Sequence, residues 1–171
     1  MVSIKEAQVG EKREILRIAG RLREITTVHD KKGKVLHKIV SPLMVEFYAR
    51  DMIQVIVGAS ILSIPVAFTE ETWRLGETLP ITNILLVMLL SITFISSFVY
   101  YNFYRNKLRK FFLNFLERVA LIYLVSFAVV TVILSLIGAA HWSTEWLLAF
   151  RRSVLVALPA SMSAAVTDMI K

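Results

Sequence analysis

The stretch LPITNILLVMLLSITFISSFVYYNFY, residues 79–104, contains no charged side chain, and a second uncharged stretch occupies residues 119–140. A helix needs about 20 apolar residues to cross the roughly 30 Å of hydrocarbon in a bilayer. Each stretch is long enough for one crossing. Together they predict an integral membrane protein whose partner is the lipid bilayer.

The composition of the whole chain agrees with this prediction. Hydrophobic residues make up 56% of the 171 residues, against about 45–50% in ordinary soluble domains. The chain has no cysteine, which excludes disulfides and thiolate catalysis. Residues 1–20 are charged and lack the continuous apolar segment of a cleavable signal peptide. The first apolar helix is therefore expected to act as the insertion signal and to stay in the product.

Four membrane-spanning helices are predicted when the pattern is followed outward from the two uncharged stretches. They lie near residues 41–68, 79–101, 118–140 and 153–170. Ser41-Pro42 is typical of a helix start, because a hydroxyl caps free amides and proline suits the first helical position. The fourth span is the least apolar and is rich in small residues, which let helices approach closely in lipid. We therefore expect an all-α four-helix transmembrane bundle over residues 41–171, with the fourth helix enclosed by the others.

Residues 1–40 are predicted to form a small cytoplasmic region. Apolar residues recur among its charges at a spacing that suits an amphipathic helix over residues 3–24. They are Ile4, Ile15, Ile18, Leu22 and Ile25. The β-branched segments 23–29 and 34–40 flank a turn that contains glycine, which is typical of a β-hairpin.

The charges of the loops predict the orientation of the bundle. The segment after the first span, residues 69–78, is acidic, whereas the loop between the second and third spans is basic. The basic residues there are Arg105, Lys107, Arg109 and Lys110, with Arg118 just beyond. By the positive-inside rule both termini lie in the cytoplasm of a multi-pass cell-membrane protein, and the acidic loop is external. The net charge of +7 then reflects this bias rather than a nucleic-acid partner.

The candidate functional segment is Thr69-Glu70-Glu71-Thr72-Trp73, directly after the first span. Pro65 leaves the Ile61 carbonyl without its helical partner, so we expect a break or bend that separates the helix from this segment. Glu70 and Glu71 are candidate metal ligands, because carboxylate oxygens replace the hydration shell of Ca²⁺ or Na⁺. Four helices leave little room for a pore of their own. The conducting form is therefore expected to be a homo-oligomer.

Two resemblances bear on these segments. Residues 69–73 resemble the Thr-x-Glu-x-Trp selectivity-filter motif of voltage-gated sodium and calcium channels, with Glu71 at the position of the filter glutamate, although the periodic arginines of a voltage sensor are missing. A broader set of segments covers most of the chain: Ser41-Pro-Leu-Met-Val-Glu46, Arg50-Asp51, Gly58-Ala59, Ile64-Pro65, Thr69 through Trp73 and Ala157-Leu-Pro-Ala-Ser161. These segments resemble a family of prokaryotic integral membrane proteins of unknown function, which implies a membrane location and no mechanism.

Ordinary structural interpretations stand beside the functional ones. Glu70 and Glu71 are also typical of a solvated loop, with Trp73 as an interfacial anchor. Asp51 is expected to reach water at the cytoplasmic boundary, and Asp168 is expected to be exposed near the chain end.

The remaining polar residues give no catalytic arrangement. Arg151 and Arg152 are expected to pair with Glu145 or to lie among headgroups. The three histidines are too dispersed along the sequence for a metal site. No serine in the spans has an identifiable histidine partner, and we therefore expect no enzyme.

The sequence thus favours a homo-oligomeric cation channel, with Ca²⁺ as one candidate ion. Two other classes stay open. The first is a membrane-anchored interaction module whose basic N-terminal region binds anionic lipid or a cytoplasmic partner. The second is a small transporter.

Overall fold

A computed structural model describes residues 10–18, 21–29, 35–42, 46–105 and 107–170. The chain divides into two compact units, Met1–Glu46 and Phe47–Lys171.

The first unit contains a three-stranded antiparallel sheet in the order β1-β2-β3. The strands are β1 (Gly10–Ile18), β2 (Arg21–His29) and β3 (Val35–Pro42). Gly10 pairs with His29 across β1 and β2, and Ile25 pairs with Val40 across β2 and β3. The predicted hairpin is therefore confirmed as the β2–β3 pair.

The predicted N-terminal helix is wrong over the described residues, where 10–18 and 21–24 form strands. Residues 3–9 lie outside the described residues. The reason is the central strand β2, whose Ile-Thr-Thr-Val run suits a pleated sheet and has backbone groups to satisfy on both edges. The segment 10–18 pairs with one of those edges, and this pairing outweighs its weak helical periodicity.

The second unit is helical. Its elements are α1 (Ala49–Ala67), α2 (Glu70–Thr78), α3 (Ile81–Val99), α4 (Phe112–Leu136) and α5 (Trp146–Asp168), and α3 continues as one π-helical turn, Tyr100–Tyr104. Four of these helices, all except the nine-residue α2, are long and apolar enough to cross a membrane. Four spans were predicted, and four are confirmed among the described residues.

The first span begins later than predicted. Ser41 and Pro42 belong to strand β3, and α1 begins at Ala49. The carboxylate of Asp51 accepts a hydrogen bond from the Tyr48 amide at 3.1 Å, which satisfies a donor that the first turn leaves free. The N-terminal signal therefore lies at Tyr48 and Asp51 rather than at the Ser-Pro pair.

The third and fourth spans, in contrast, are displaced toward the N-terminus, relative to the predicted 118–140 and 153–170. Helix α4 ends at Leu136, and Gly138 follows with a φ of 72°. The amides of Ala139 and Ala140 fold back to donate to the Leu134 carbonyl, which is a typical helix end at a left-handed glycine. Helix α5 then begins at Trp146, so Arg151 and Arg152 lie inside it.

Helix α5 is the centre of the bundle, as the small residues predicted. It packs against α1, α2, α3 and α4. Of its most apolar 18-residue segment 44% is buried, against 22% to 33% for the corresponding segments of the other spans. A Cβ added to Gly58 of α1 would lie 2.7 Å from the Thr167 Cβ and 2.9 Å from the Ala164 Cα of α5. The two backbones approach closely here because glycine has no side chain.

The four long helices run alternately up and down, so the bundle has two ends. Gln54 at the start of α1 donates to the Ile170 carbonyl after α5, and this end also holds Arg118 of α4. At the opposite end Arg152 of α5 contacts the residues that follow α1 and α4. These are called the Arg118 end and the Arg152 end.

Candidate functional site

Three ionisable side chains meet inside the bundle at the Arg118 end. The Arg118 Nε donates to the Asp168 Oδ2 at 2.8 Å, and its Nη2 donates to the Asp168 Oδ1 at 2.9 Å, which is a bidentate pair. The same Nη2 lies 3.5 Å from the Asp51 Oδ2. Arg118 and Asp168 are 0% exposed and Asp51 is 2% exposed. We call these three residues the Arg118 cluster.

Aromatic rings enclose this cluster. The Arg118 Cζ lies 4.0 Å from the centre of the Phe103 ring and 5.6 Å from that of Phe47, distances that suit a cation–π contact. Tyr104 is fully buried and packs edge-on against Phe115 at 5.5 Å. Both Phe103 and Tyr104 come from the π-helical turn, a rare element that is frequent at functional sites. The cluster and its rings therefore bring together α1, α3, α4 and α5.

The cluster corrects two expectations. Asp168 is not an exposed terminal residue, because the last turns of α5 pack into the bundle and pair its carboxylate with Arg118. Asp51 does not reach the surface of the bundle, since it is 2% exposed and lies beside Arg118. The sequence did carry a signal, namely an arginine and two aspartates at the margins of apolar helices, but it did not show that they face one another.

The acidic segment at the Arg152 end is the short helix α2 rather than a loop. Thr69 precedes it, and Glu70 and Glu71 lie exposed in its first turn. The hydroxyl groups of Thr69 and Thr72 are 2.7 Å apart. The Trp73 Nε1 donates to the Ala67 carbonyl at 2.7 Å, which satisfies a free carbonyl at the end of α1. Trp73 thus fixes the corner between α1 and α2.

Arg152 connects α2 to the bundle. Its Nη1 donates to the Ala139 carbonyl at 2.6 Å and its Nε donates to the Trp73 carbonyl at 3.3 Å. Its ion pair is with Glu77 of α2, not with the Glu145 that the sequence suggested. A cavity of about 350 Å³ lies beside this pair, and its lining residues are Glu70, Glu71, Trp73, Arg74, Glu77 and Arg152.

Pro65 lies inside α1, which continues to Ala67 before the chain turns at Phe68 and Thr69 into α2. The hydroxyl groups near the Ile61 carbonyl donate elsewhere: Ser60 to Ile56, Ser63 to Ser60 and Thr69 to Val66. The role of Pro65 as a functional break stays a prediction.

Metal binding by one copy of the chain has little support in this geometry. Across the residues that the structure describes, no group of three or more histidines, aspartates or glutamates lies together to hold an ion. Glu70 and Glu71 supply only two carboxylates per chain, whereas Ca²⁺ takes about six to eight oxygen ligands. A full ligand set at this place would need several copies of α2.

The bundle and its buried charges define a multi-pass integral membrane protein with four candidate spans. The family model described as "Putative integral membrane protein (DUF2391)" matches residues 17–170, and the chain belongs to that family, whose function is unknown. This confirms the membrane prediction and the broader of the two resemblances. No curated protein and no solved structure matches the chain.

Proposed function

We propose that this membrane protein is a homo-oligomeric cation channel, not an enzyme, and that helix α2 lines its external mouth. The observation that carries the proposal is the exposed pair of carboxylates, Glu70 and Glu71, in the first turn of α2. Negative charge is favourable at the start of a helix, and rings of carboxylates select cations in channels. The adjacent cavity of about 350 Å³ gives a hydrated ion room to approach.

The pathway in this proposal runs between subunits rather than through one bundle. Helix α5 fills the centre of the bundle with small side chains, and Gly58 brings α1 against it. The Arg118 cluster occupies one end of the same interior. Repetition of Glu70 and Glu71 around a symmetry axis would supply the oxygen ligands that one copy lacks.

The proposal is tested with the purified full-length protein in planar bilayers, where reversal potentials under a Ca²⁺/Na⁺ gradient give the permeability ratio. Glu71→Gln is expected to lower the Ca²⁺/Na⁺ permeability ratio about tenfold, which corresponds to roughly 1.4 kcal/mol. Glu70→Gln is expected to lower the same ratio to a smaller degree. Glu145→Gln removes an exposed carboxylate at the same end and is the matched control. Equal ratios in the wild type and both filter variants would remove the filter role.

A small transporter is the second candidate, and the Arg118 cluster favours it. Ionisable residues inside a membrane commonly mark ion or proton pathways, and this cluster joins the three spans α1, α4 and α5. The same bilayers discriminate the two functions. Resolved single-channel currents favour the channel, whereas saturable Ca²⁺- or Na⁺-driven proton movement without such currents favours the transporter.

A further inference from the structure

A cavity of about 390 Å³ lies at the turn between α3 and α4, and its lining shares no residue with the Arg118 cluster or with α2. Its lining residues are Tyr100, Arg105, Lys107, Leu108, Arg109 and Lys110. Consecutive turns fold the chain tightly here, because the Lys107 amide donates to the Tyr104 carbonyl at 2.9 Å and the Lys110 amide to the Lys107 carbonyl at 3.1 Å. The folding places four cationic side chains around one cavity.

The lining of this cavity has a single sign of charge. It contains four cations and no carboxylate, whereas the cavity at the Arg152 end has three glutamates in its lining. The Tyr100 hydroxyl donates to the Arg105 carbonyl at 3.3 Å, and the Arg105 guanidinium lies 5.3 Å from the centre of the Tyr101 ring. These contacts tie Arg105 to the end of α3, and the four cationic side chains of the lining suit an anionic ligand rich in oxygen acceptors.

The surroundings identify the kind of anion. The turn that lines the cavity joins two helices long and apolar enough to cross a membrane, and Tyr101, near the end of the first, is 65% exposed, as aromatic side chains at a headgroup boundary commonly are. Directly after the turn, α4 presents exposed apolar side chains at Phe112, Leu113 and Leu116. A free phosphate would leave that apolar strip unused, whereas the acyl chains of a lipid would cover it.

We propose that this cavity is a binding site for an anionic phospholipid. Its headgroup phosphate contacts Arg105, Arg109 and Lys110, and its acyl chains lie along the strip Phe112, Leu113 and Leu116. Basic cavities between transmembrane helices recognise anionic headgroups in this way. The site is separate from helix α2, so it does not depend on the proposed channel.

The test uses the full-length protein in mixed micelles titrated with phosphatidylglycerol or phosphatidylcholine, with bound lipid counted by native mass spectrometry. Each basic residue near an anionic headgroup contributes a roughly fivefold change in binding. Arg105→Gln with Lys110→Gln is therefore expected to weaken phosphatidylglycerol binding about 25-fold and to leave the weak phosphatidylcholine binding unchanged. The control pair, Lys38→Gln with Arg50→Gln, removes the same charge from exposed positions outside the cavity and is expected to have little effect.

Three outcomes would overturn the proposal. Equal weakening by the cavity pair and the control pair would show diffuse attraction to the whole basic surface. Equal binding of both lipids by the wild type would remove the headgroup role. Displacement of phosphatidylglycerol by millimolar inorganic phosphate would assign the site to free phosphate. Unchanged elution and melting of the variants in detergent exclude misfolding as the cause of a loss.

Discussion

At the scale of single residues, the Arg118 cluster places three ionisable side chains in the interior of the bundle. Removing ions from water costs several kcal/mol each, and good geometry with further hydrogen bonds is needed to offset that cost. The bidentate contact of Arg118 with Asp168 supplies such geometry, and the Phe103 ring adds a cation–π contact. The interaction with Asp51 is longer, at 3.5 Å. The cluster therefore specifies which helix ends meet more than it adds net stability.

Arg118→Met is expected to lower the free energy of unfolding by about 3–5 kcal/mol, because it leaves two buried carboxylates without their guanidinium. Denaturant titration in mild detergent measures the change. Adding Asp168→Met to this variant should recover part of the loss, since one of the two buried charges is then removed. Arg50→Met changes an exposed arginine on α1 and should stay within about 0.5 kcal/mol of the wild type. A loss no larger in Arg118→Met than in Arg50→Met would contradict the buried pairing.

At the scale of elements, the sequence predicted those features that depend on composition alone. The uncharged stretches marked the spans, and the small residues of α5 marked the helix that packs against all others. The features that depend on distant pairing were missed. Strand β1 forms because it pairs with the edge of β2, and the hydrophobic periodicity of residues 10–18 does not indicate this pairing.

The candidate site shows the same contrast between residues that a local pattern indicates and contacts that only distant packing creates. The linear motif in the sequence indicated Glu70, Glu71 and Trp73 as candidates. Their helix is held to the bundle by the ion pair of Arg152 with Glu77, which are far apart in the chain. Asp51 and Asp168 are separated by almost the whole second unit, and each is unremarkable by itself. Only the antiparallel packing of α4 and α5 places Asp168 at the level of Arg118.

The Trp73 indole donates one of the hydrogen bonds that hold the corner between α1 and α2. Trp73→Phe removes the donor to the Ala67 carbonyl, and we expect a loss of about 1 kcal/mol together with faster hydrogen exchange of the α2 amides. Trp146→Phe is the matched control, because Trp146 is 65% exposed. Exchange in α2 as slow as in the wild type would show that Arg152 and Glu77 hold the helix without Trp73.

At the scale of the whole molecule, the two ends of the bundle carry opposite charge. The turn between α3 and α4 presents Arg105, Arg109 and Lys110, whereas α2 presents Glu70 and Glu71. Positive charge in short loops is retained on the cytoplasmic side during insertion. The α3–α4 turn and both termini are therefore expected to face the cytoplasm, while α2 and the α4–α5 turn face outward.

The absence of cysteine makes this orientation directly measurable, because any introduced thiol is the only one in the chain. Thr78→Cys in α2 and Thr144→Cys in the α4–α5 turn are exposed at the Arg152 end, and Arg109→Cys is exposed in the α3–α4 turn. In intact spheroplasts a membrane-impermeant maleimide is expected to label the first two variants and to spare Arg109→Cys. Lysis should then make Arg109→Cys equally reactive, which controls for its accessibility. Labelling of Arg109→Cys before lysis, with protection of Thr78→Cys and Thr144→Cys, would invert the topology and place the two carboxylates of α2 in the cytoplasm.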